Sequence, residues 1–315
     1  MSQEYYEEIP GADLQAEENR IVNKALTAFP DPYLTGLKLE GGISIDGLTL
    51  NTIEYPTVEN GYAAPVVWVV SDLDGWWTLP ESELPDLPRG WGDGSYDSIG
   101  RWSNRIVTLN GSFLTQDPTD APLARARLLE RVSLIKRSGW LVVDEDDRRR
   151  GSKMRLSGTP MISSIKARGR HDFSVGLKAV DPIKYQYVDN NNDAYLSETL
   201  NSTGVTVENY GNVPVPVVFQ ITGSPSSGAK IERTSPGDTK TIELVKDVPN
   251  DLEIDTYNRE ALLIDDISDL DSNVSNGRSN LATLVDWIYL EPGDNVLKYT
   301  GTGTCTVLYR SGWIG

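Results

Sequence analysis

The sequence predicts a mainly β protein in two domains: a β-rich domain carrying one helix, then an all-β sandwich. Three observations carry the prediction. Apolar and polar residues alternate with a period of two in many segments beyond Leu37, as in half-buried strands. Past the N-terminal arm, one stretch has helical spacing with end signals to match, Ala121 to Arg137. Beyond Leu200, turn residues recur roughly every 8–15 positions, the rhythm of a sandwich of roughly 115 residues. A length of 315 residues suits two domains. The expected divisions are 1–36 as an N-terminal arm, 37–196 as the first domain and 197–315 as the second.

The elements follow in order. Residues 1–32 are polar and acidic, and Asp13 to Ala28 has a thin apolar stripe (Leu14, Ile21, Ala25, Leu26) that suits a docking arm better than a core helix. Ile43 and Ile45 alternate with polar neighbours, and Asp46-Gly47 is a two-residue hairpin turn into Leu48 and Leu50. Residues 71–104 hold prolines and glycines at a density that argues against regular structure. Yet Trp76, Trp77, Trp91, Tyr96 and Trp102 are costly to leave wet, so this loop is a candidate aromatic interface. Val107, Leu109 and Phe113 then share one strand face. In the helix, Asp120 or Thr119 offers a cap, Pro122 sits in the first turn and Gly139 is placed to close the end.

After the helix, Trp140–Val143 and Lys153–Ser157 flank the charged run Asp144, Glu145, Asp146, Asp147, Arg148, Arg149 and Arg150, which reads as a hairpin tip. Phe173, Val175, Leu177 and Ala179 alternate in a further strand that Asp181-Pro182 stops. The second domain offers eight candidate strands, with Pro-Gly at the centres of two type II turns, 235–238 and 291–294.

Composition excludes much chemistry. A lone Cys305 makes no internal disulfide or thiolate zinc site, and a lone His171, which reads as a solvated strand-edge residue, leaves no multi-histidine metal site and little basis for a catalytic triad. No phosphate loop is present, and the calcium-loop-like runs at 189–193 and 269–273 lack the required glycine and glutamate. No cofactor or metal is expected. The acidic N-terminus does not read as a signal peptide, and the longest apolar run, Ala63 to Val70, is too short to span a membrane. Acids beside Trp76, Trp77 and Trp91 resemble a glycosidase mixture, but 46 acidic residues make accidental pairs inevitable, so an enzyme is not expected.

The formal charge of −17 is unevenly spread: −13 over residues 1–88, +7 over 89–170 and −11 over 171–315. The net negative charge argues against sequence-specific nucleic-acid binding by the whole chain, and a basic middle between acidic ends fits guided self-assembly. Arg125, Arg127, Arg131, Lys136 and Arg137 crowd the helix surface and form a candidate subunit interface.

One resemblance covers most of the chain. It rests on the order of Arg105-Ile-Val-Thr-Leu-Asn-Gly111, the helix run Leu123–Leu129, Arg155-Leu-Ser-Gly158-Thr-Pro160 and Phe173–Pro182 with Tyr185. Val207-Glu-Asn-Tyr-Gly-Asn212 and Leu290-Glu-Pro-Gly-Asp-Asn295 continue it, and Asp74-Gly-Trp-Trp77 is similar to a minor-tail-protein branch. The sequence resembles the distal tail protein family of phages with long non-contractile tails. That resemblance implies a tail-tube-like β-barrel or sandwich domain with one flanking helix, followed by a galectin-like β-sandwich. It further implies a virion structural protein at the distal end of the tail, assembled in the host cytoplasm as a homo-hexameric ring. Its expected partners are the tail tube protein, hub and tip or fibre proteins, passing genomic DNA without specific binding, and in some members a host glycan. The charged hairpin at 144–150 then becomes a candidate lining of the ring lumen. The alternatives are a carbohydrate-binding module and a glycoside hydrolase.

Overall fold

The computed structural model describes residues 42–83, 87–88, 95–96, 100–145, 148–164, 169–187, 195–235, 237–269, 272–283 and 285–315. The N-terminal arm, Trp91, Asp146, Asp147 and the run 189–193 lie outside the described residues. Strands hold 52% of the chain and helix 8%, which decides the class as mainly β. The chain forms two compact units, Met1–Asp146 with Lys153–Val180, and Asp147–Ser152 with Asp181–Gly315.

The first unit contains β1 (Ile43–Ile45), β2 (Leu48–Leu50), β3 (Thr52–Glu54), β4 (Val66–Asp74), β5 (Ser82–Glu83), β6 (Leu87–Pro88), β7 (Ser95–Tyr96), β8 (Arg101–Trp102) and β9 (Arg105–Thr115). Helix α1 (Ala121–Leu134), β10 (Gly139–Glu145), the larger part of β11 (Arg148–Leu156), β12 (Met161–Ser164) and β13 (Arg170–Ala179) complete it. The main sheet runs β2-β1-β10-β11-β13-β9-β4-β3. Only Asn51, at φ 55°, separates β2 from β3. Asparagine tolerates this left-handed geometry, and the bend lets β2 pair with β1 while β3 pairs with β4. Both ends of the sheet therefore belong to one bent segment, and the sheet is barrel-like and nearly closed.

The alternation seen in sequence fills this barrel. Val107, Leu109 and Phe113 of β9 meet Phe173, Val175 and Leu177 of β13 in one core, across an antiparallel ladder from Arg105↔Ala179 to Arg170↔Leu114. Trp68 packs tilted against Phe113 with ring centroids 5.2 Å apart. Helix α1 buries Ala124, Leu128, Val132 and, just past its end, Ile135 against the same core, a spacing that keeps all four on one face.

Three local expectations need correction. The helix ends at Leu134, not Arg137: its last turn tightens, with the Lys136 N–H donating to the Ser133 carbonyl (3.2 Å), and the Ile135 carbonyl accepts from the Leu156 N–H of β11 (3.3 Å); Gly139 opens β10 instead of closing the helix. Asp120 makes no cap; its carboxylate accepts from the backbone N–H of Ala63 (2.8 Å) and Ala64 (2.9 Å), tying the approach to β4 onto the helix start. Segment 71–104 is not devoid of regular structure. β4 runs through Asp74, and beyond it β5 pairs with β8 and β6 with β7, two nested antiparallel ladders that make a β-arm between β4 and β9. Pro88 fits because β6 is two residues long and pairs on one side, in a two-stranded ladder.

The second unit contains β14 (Lys184–Gln186), β15 (Leu196–Thr199), β16 (Val205–Asn209), β17 (Val215–Pro216), β18 (Val218–Thr222), β19 (Lys230–Ser235), β20 (Asp238–Glu243) and β21 (Asp251–Asp255). It continues with β22 (Glu260–Ile264), β23 (Val274–Asn276), β24 (Tyr289–Leu290), β25 (Gly293–Thr300), β26 (Thr304–Tyr309) and β27 (Gly312–Trp313). A six-stranded sheet (β15-β26-β18-β21-β22-β23) and a four-stranded sheet (β16-β25-β19-β20) enclose one core, a β-sandwich. Phe219, Leu252 and Val307 come from the first sheet, Val207, Ile231 and Leu297 from the second. Gly237 and Gly293 take positive φ (87° and 90°) at the two Pro-Gly turns, as a type II turn requires.

Candidate assembly surfaces

At the root of the β-arm, Gly75 has φ 83°, and a Cβ there would meet the Ile106 carbonyl oxygen, so only glycine fits without displacement. The turn at Gly75 sends two adjacent tryptophans opposite ways. Trp76 is fully buried and its Nε1–H donates to Glu145 Oε1 at 2.6 Å. Trp77 remains 61% exposed, as do Leu79 (58%) and Trp102 (45%). Arg105, also buried, threads beneath the arm and donates through Nη1 to the carbonyls of Gly75 (3.2 Å), Trp76 (3.1 Å) and Thr78 (2.8 Å). Burial pulls the pKa of its guanidinium below the usual arginine value, and the nearby Glu145 carboxylate opposes that shift. Of the sequence-predicted aromatic group, Trp76 is thus core, Trp77 and Trp102 are surface, and Tyr96 lies in the β6–β7 ladder opposite Leu87.

The helix cations divide similarly. Arg127 is committed within its own unit: Nη2 lies 2.6 Å from Glu54 Oε1. Glu54 Oε2 also accepts from Trp68 Nε1 (3.0 Å) and the Tyr62 hydroxyl (3.3 Å). Arg131 is half-buried near the Asp46-Gly47 turn. Arg125, Lys136 and Arg137 remain exposed, beside the exposed Leu123, Leu129 and Leu134. Sequence reading grouped five cations; burial leaves three of them open to solvent.

The charged hairpin is tied down on both strands. Asp144 Oδ2 accepts from the Gly42 N–H (3.0 Å), and Glu145 holds Trp76. Residues 148–152 cluster with the second unit, where Arg150 and Gly151 pair with Gln186 and Tyr185 of β14, and β14 pairs with β27. The Arg150 guanidinium lies 4.4 Å over the Trp313 ring and Arg148 lies 5.6 Å over Tyr210. No sequence signal pointed to this placement, since the partners lie more than a hundred positions away along the chain in the case of Trp313.

Other titratable groups are structural. His171 is not a solvated edge residue: it is half-buried and stacks on Phe113, with ring centroids 4.9 Å apart and planes 13° from parallel. Burial of Cys305 pushes its thiol up to about 12. Sealed in the core, the native thiol should stay unmodified by a maleimide and be labelled on unfolding. Prompt labelling of folded protein contradicts this burial. Among the described residues, no cluster of three or more His, Cys, Asp or Glu could hold a metal, and no helix is long and apolar enough to cross a membrane.

Fold and surfaces together define a class: a β-barrel-like unit with a flanking helix and a β-arm, followed by a β-sandwich, with aromatic, leucine and charged side chains exposed on the first unit. A solved protein of this fold is the Dit protein of phage SPP1, a paradigm of the hub adsorption apparatus in phages infecting Gram-positive bacteria. The likeness covers 86% of this chain and 98% of that one at 14% identity, with a TM-score of 0.56. The phage P2 baseplate in its activated conformation with calcium (TM-score 0.41, 9% identity, 86% and 98% covered) and with strontium (0.40, 9%, 85% and 96%) matches less well. No protein-family model and no curated protein matches the sequence. At 14% identity the likeness to Dit establishes a shared fold.

Proposed function

We propose that this protein is a structural component of a phage tail, a distal tail protein whose copies form a six-membered ring joining the tail tube to the hub or tip. The observation that carries this reading is the likeness to the Dit hub protein, which spans both units of this chain and nearly all of that one. The surfaces support it: exposed aromatic and leucine side chains with flanking charges suit repeated protein–protein contacts. The mechanism is therefore geometric. The barrel-like unit supplies the ring contacts, and the sandwich is left to hold peripheral tip proteins.

The test is native mass spectrometry joined to gold-labelled antibody on intact particles. A species six times the 34.7 kDa subunit, with label at the tail end distal to the capsid, supports the reading. Label confined to the capsid overturns it. A second reading, glycan binding by the sandwich, draws on the exposed Tyr210 and Tyr257 (52% and 53%), since sugars stack on such rings. Under that reading the chain pulls down host cell-wall polysaccharide and loses most of the binding in Tyr257→Ala; equal retention by both proteins removes it.

A further inference from the structure

Two surfaces of the first unit are complementary. At the root of the arm, Trp77, Leu79 and Trp102 are exposed among the exposed carboxylates Asp72, Asp74, Glu81 and Glu83, with Arg101 as a cation beside them. On α1 and its closing turn, Leu123 (43%), Leu129 (42%) and Leu134 (53%) are exposed beside Arg125, Lys136 and Arg137, with Glu130 as a carboxylate among them. Each surface pairs large apolar side chains with charge, and the charges are of opposite sign. Arg127 takes no part, because Glu54 already neutralises it.

Single exposed leucines are ordinary, but apolar groups gathered on one element and framed by charge mark a contact surface. Trp77 and Trp102 on one partner and the three leucines on the other, each about half exposed, supply the apolar centre of an interface, part of the roughly 800 Å² per partner that a specific contact buries. Opposite charges around the rim select the partner and its orientation.

We propose that the occupant of the outer face of α1 is a second copy of this chain, seated through the root of its β-arm. The inference rests on the ring reading above and deepens it by naming which surface meets which. Because the two surfaces differ, the contact is head-to-tail, and each copy offers one arm and one helix face. A head-to-tail contact closes into a ring when its rotation divides the circle and otherwise grows as an open filament. The basic middle segment of the chain then has its partner in the acidic segment before it.

Disulfide trapping between two differently tagged full-length variants tests this, one Trp102→Cys and one Leu129→Cys, mixed and mildly oxidised over a range of concentrations. Cys305 is buried and stays silent. A cross-linked heterodimer that grows with concentration, and exceeds a Trp102→Cys with Val274→Cys control, is the expected result; Val274 is exposed on the second unit. Adding Glu81→Lys and Glu83→Lys to the arm variant should cut the yield about tenfold, and Arg125→Glu with Arg137→Glu in the other should restore it. A yield no greater than the control, or reversal without rescue, overturns the contact. All substitutions lie at exposed positions, and unchanged melting confirms intact folds. A six-subunit species without the cross-link sinks the arm–helix contact and keeps the ring. Cross-linked dimers or filaments without a six-subunit species keep the contact and sink the ring.

Discussion

Replacing Arg105 by leucine should destabilise the first unit by about 3–5 kcal/mol, the usual result when one partner of a buried charged network is removed. The guanidinium holds three carbonyls at 2.8–3.2 Å and faces the Glu145 carboxylate, which in turn accepts from Trp76. Leucine fills part of the space but leaves those carbonyls without this donor and the carboxylate without its neutralising charge. Urea unfolding followed by tryptophan fluorescence measures the loss. Because the same side chain clamps the base of the arm, the variant should also lose near-ultraviolet dichroism from Trp76 before the unit unfolds. A loss below about 1 kcal/mol contradicts the clamp. The double variant with Glu145→Gln should recover part of the loss, since it no longer buries an uncompensated anion.

The second large effect concerns Asn209, at the end of β16 and fully buried. Its Nδ2 donates to the carbonyls of Val213 (2.8 Å) and Leu290 (3.1 Å), and its Oδ1 accepts from the N–H of Gly211 (3.0 Å) and Gly312 (3.3 Å). One amide thus fastens three segments that are remote in sequence. Asn209→Ala strips all four bonds, and each buried group left unpaired costs about 1–3 kcal/mol, so the sandwich should lose at least about 3 kcal/mol. Calorimetry should show the second unit's transition falling while the first unit's stays. Amide exchange around Gly312 should quicken in parallel. A cost under about 1 kcal/mol contradicts the assignment. Glycine at 211 is part of the same design, because a Cβ there would collide with the Gly312 carbonyl.

Both residues illustrate what was hidden in the sequence. Arg105 reads as one more cation in a basic segment, and Asn209 as one turn-forming polar residue, because their value lies in partners up to 103 positions away. Arg233 interrupts the pattern of β19. It sits buried between Ile231 and Ser235 on β19, and its charge breaks the apolar alternation that marks the neighbouring strands. Only its pairing with Asp238 (2.6 Å) and Glu291 (3.3 Å) explains how that face is tolerated inside. Where the alternation is unbroken, as in 173–179 or 252–254, strand and facing could be read directly.

The candidate surfaces were legible by composition and not by membership. The run Trp76-Trp77 reads as one feature, yet a positive φ at Gly75 and the Glu145 carboxylate 69 positions away divide it into one core and one surface ring. The helix cations read as one basic face, yet Glu54 removes Arg127 from it.

By itself, the sequence determined the mainly β class, the helix beginning at Ala121, the Asp46-Gly47 hairpin and the two Pro-Gly turns. These depend on periodicity and backbone stereochemistry, which act over a few residues. The tertiary structure alone decided that one bend at Asn51 brings the sheet's two ends together, that 148–152 join the second unit, and which aromatic and basic side chains remain exposed. Burial and charge pairing are set by neighbours far along the chain, and no local pattern records them.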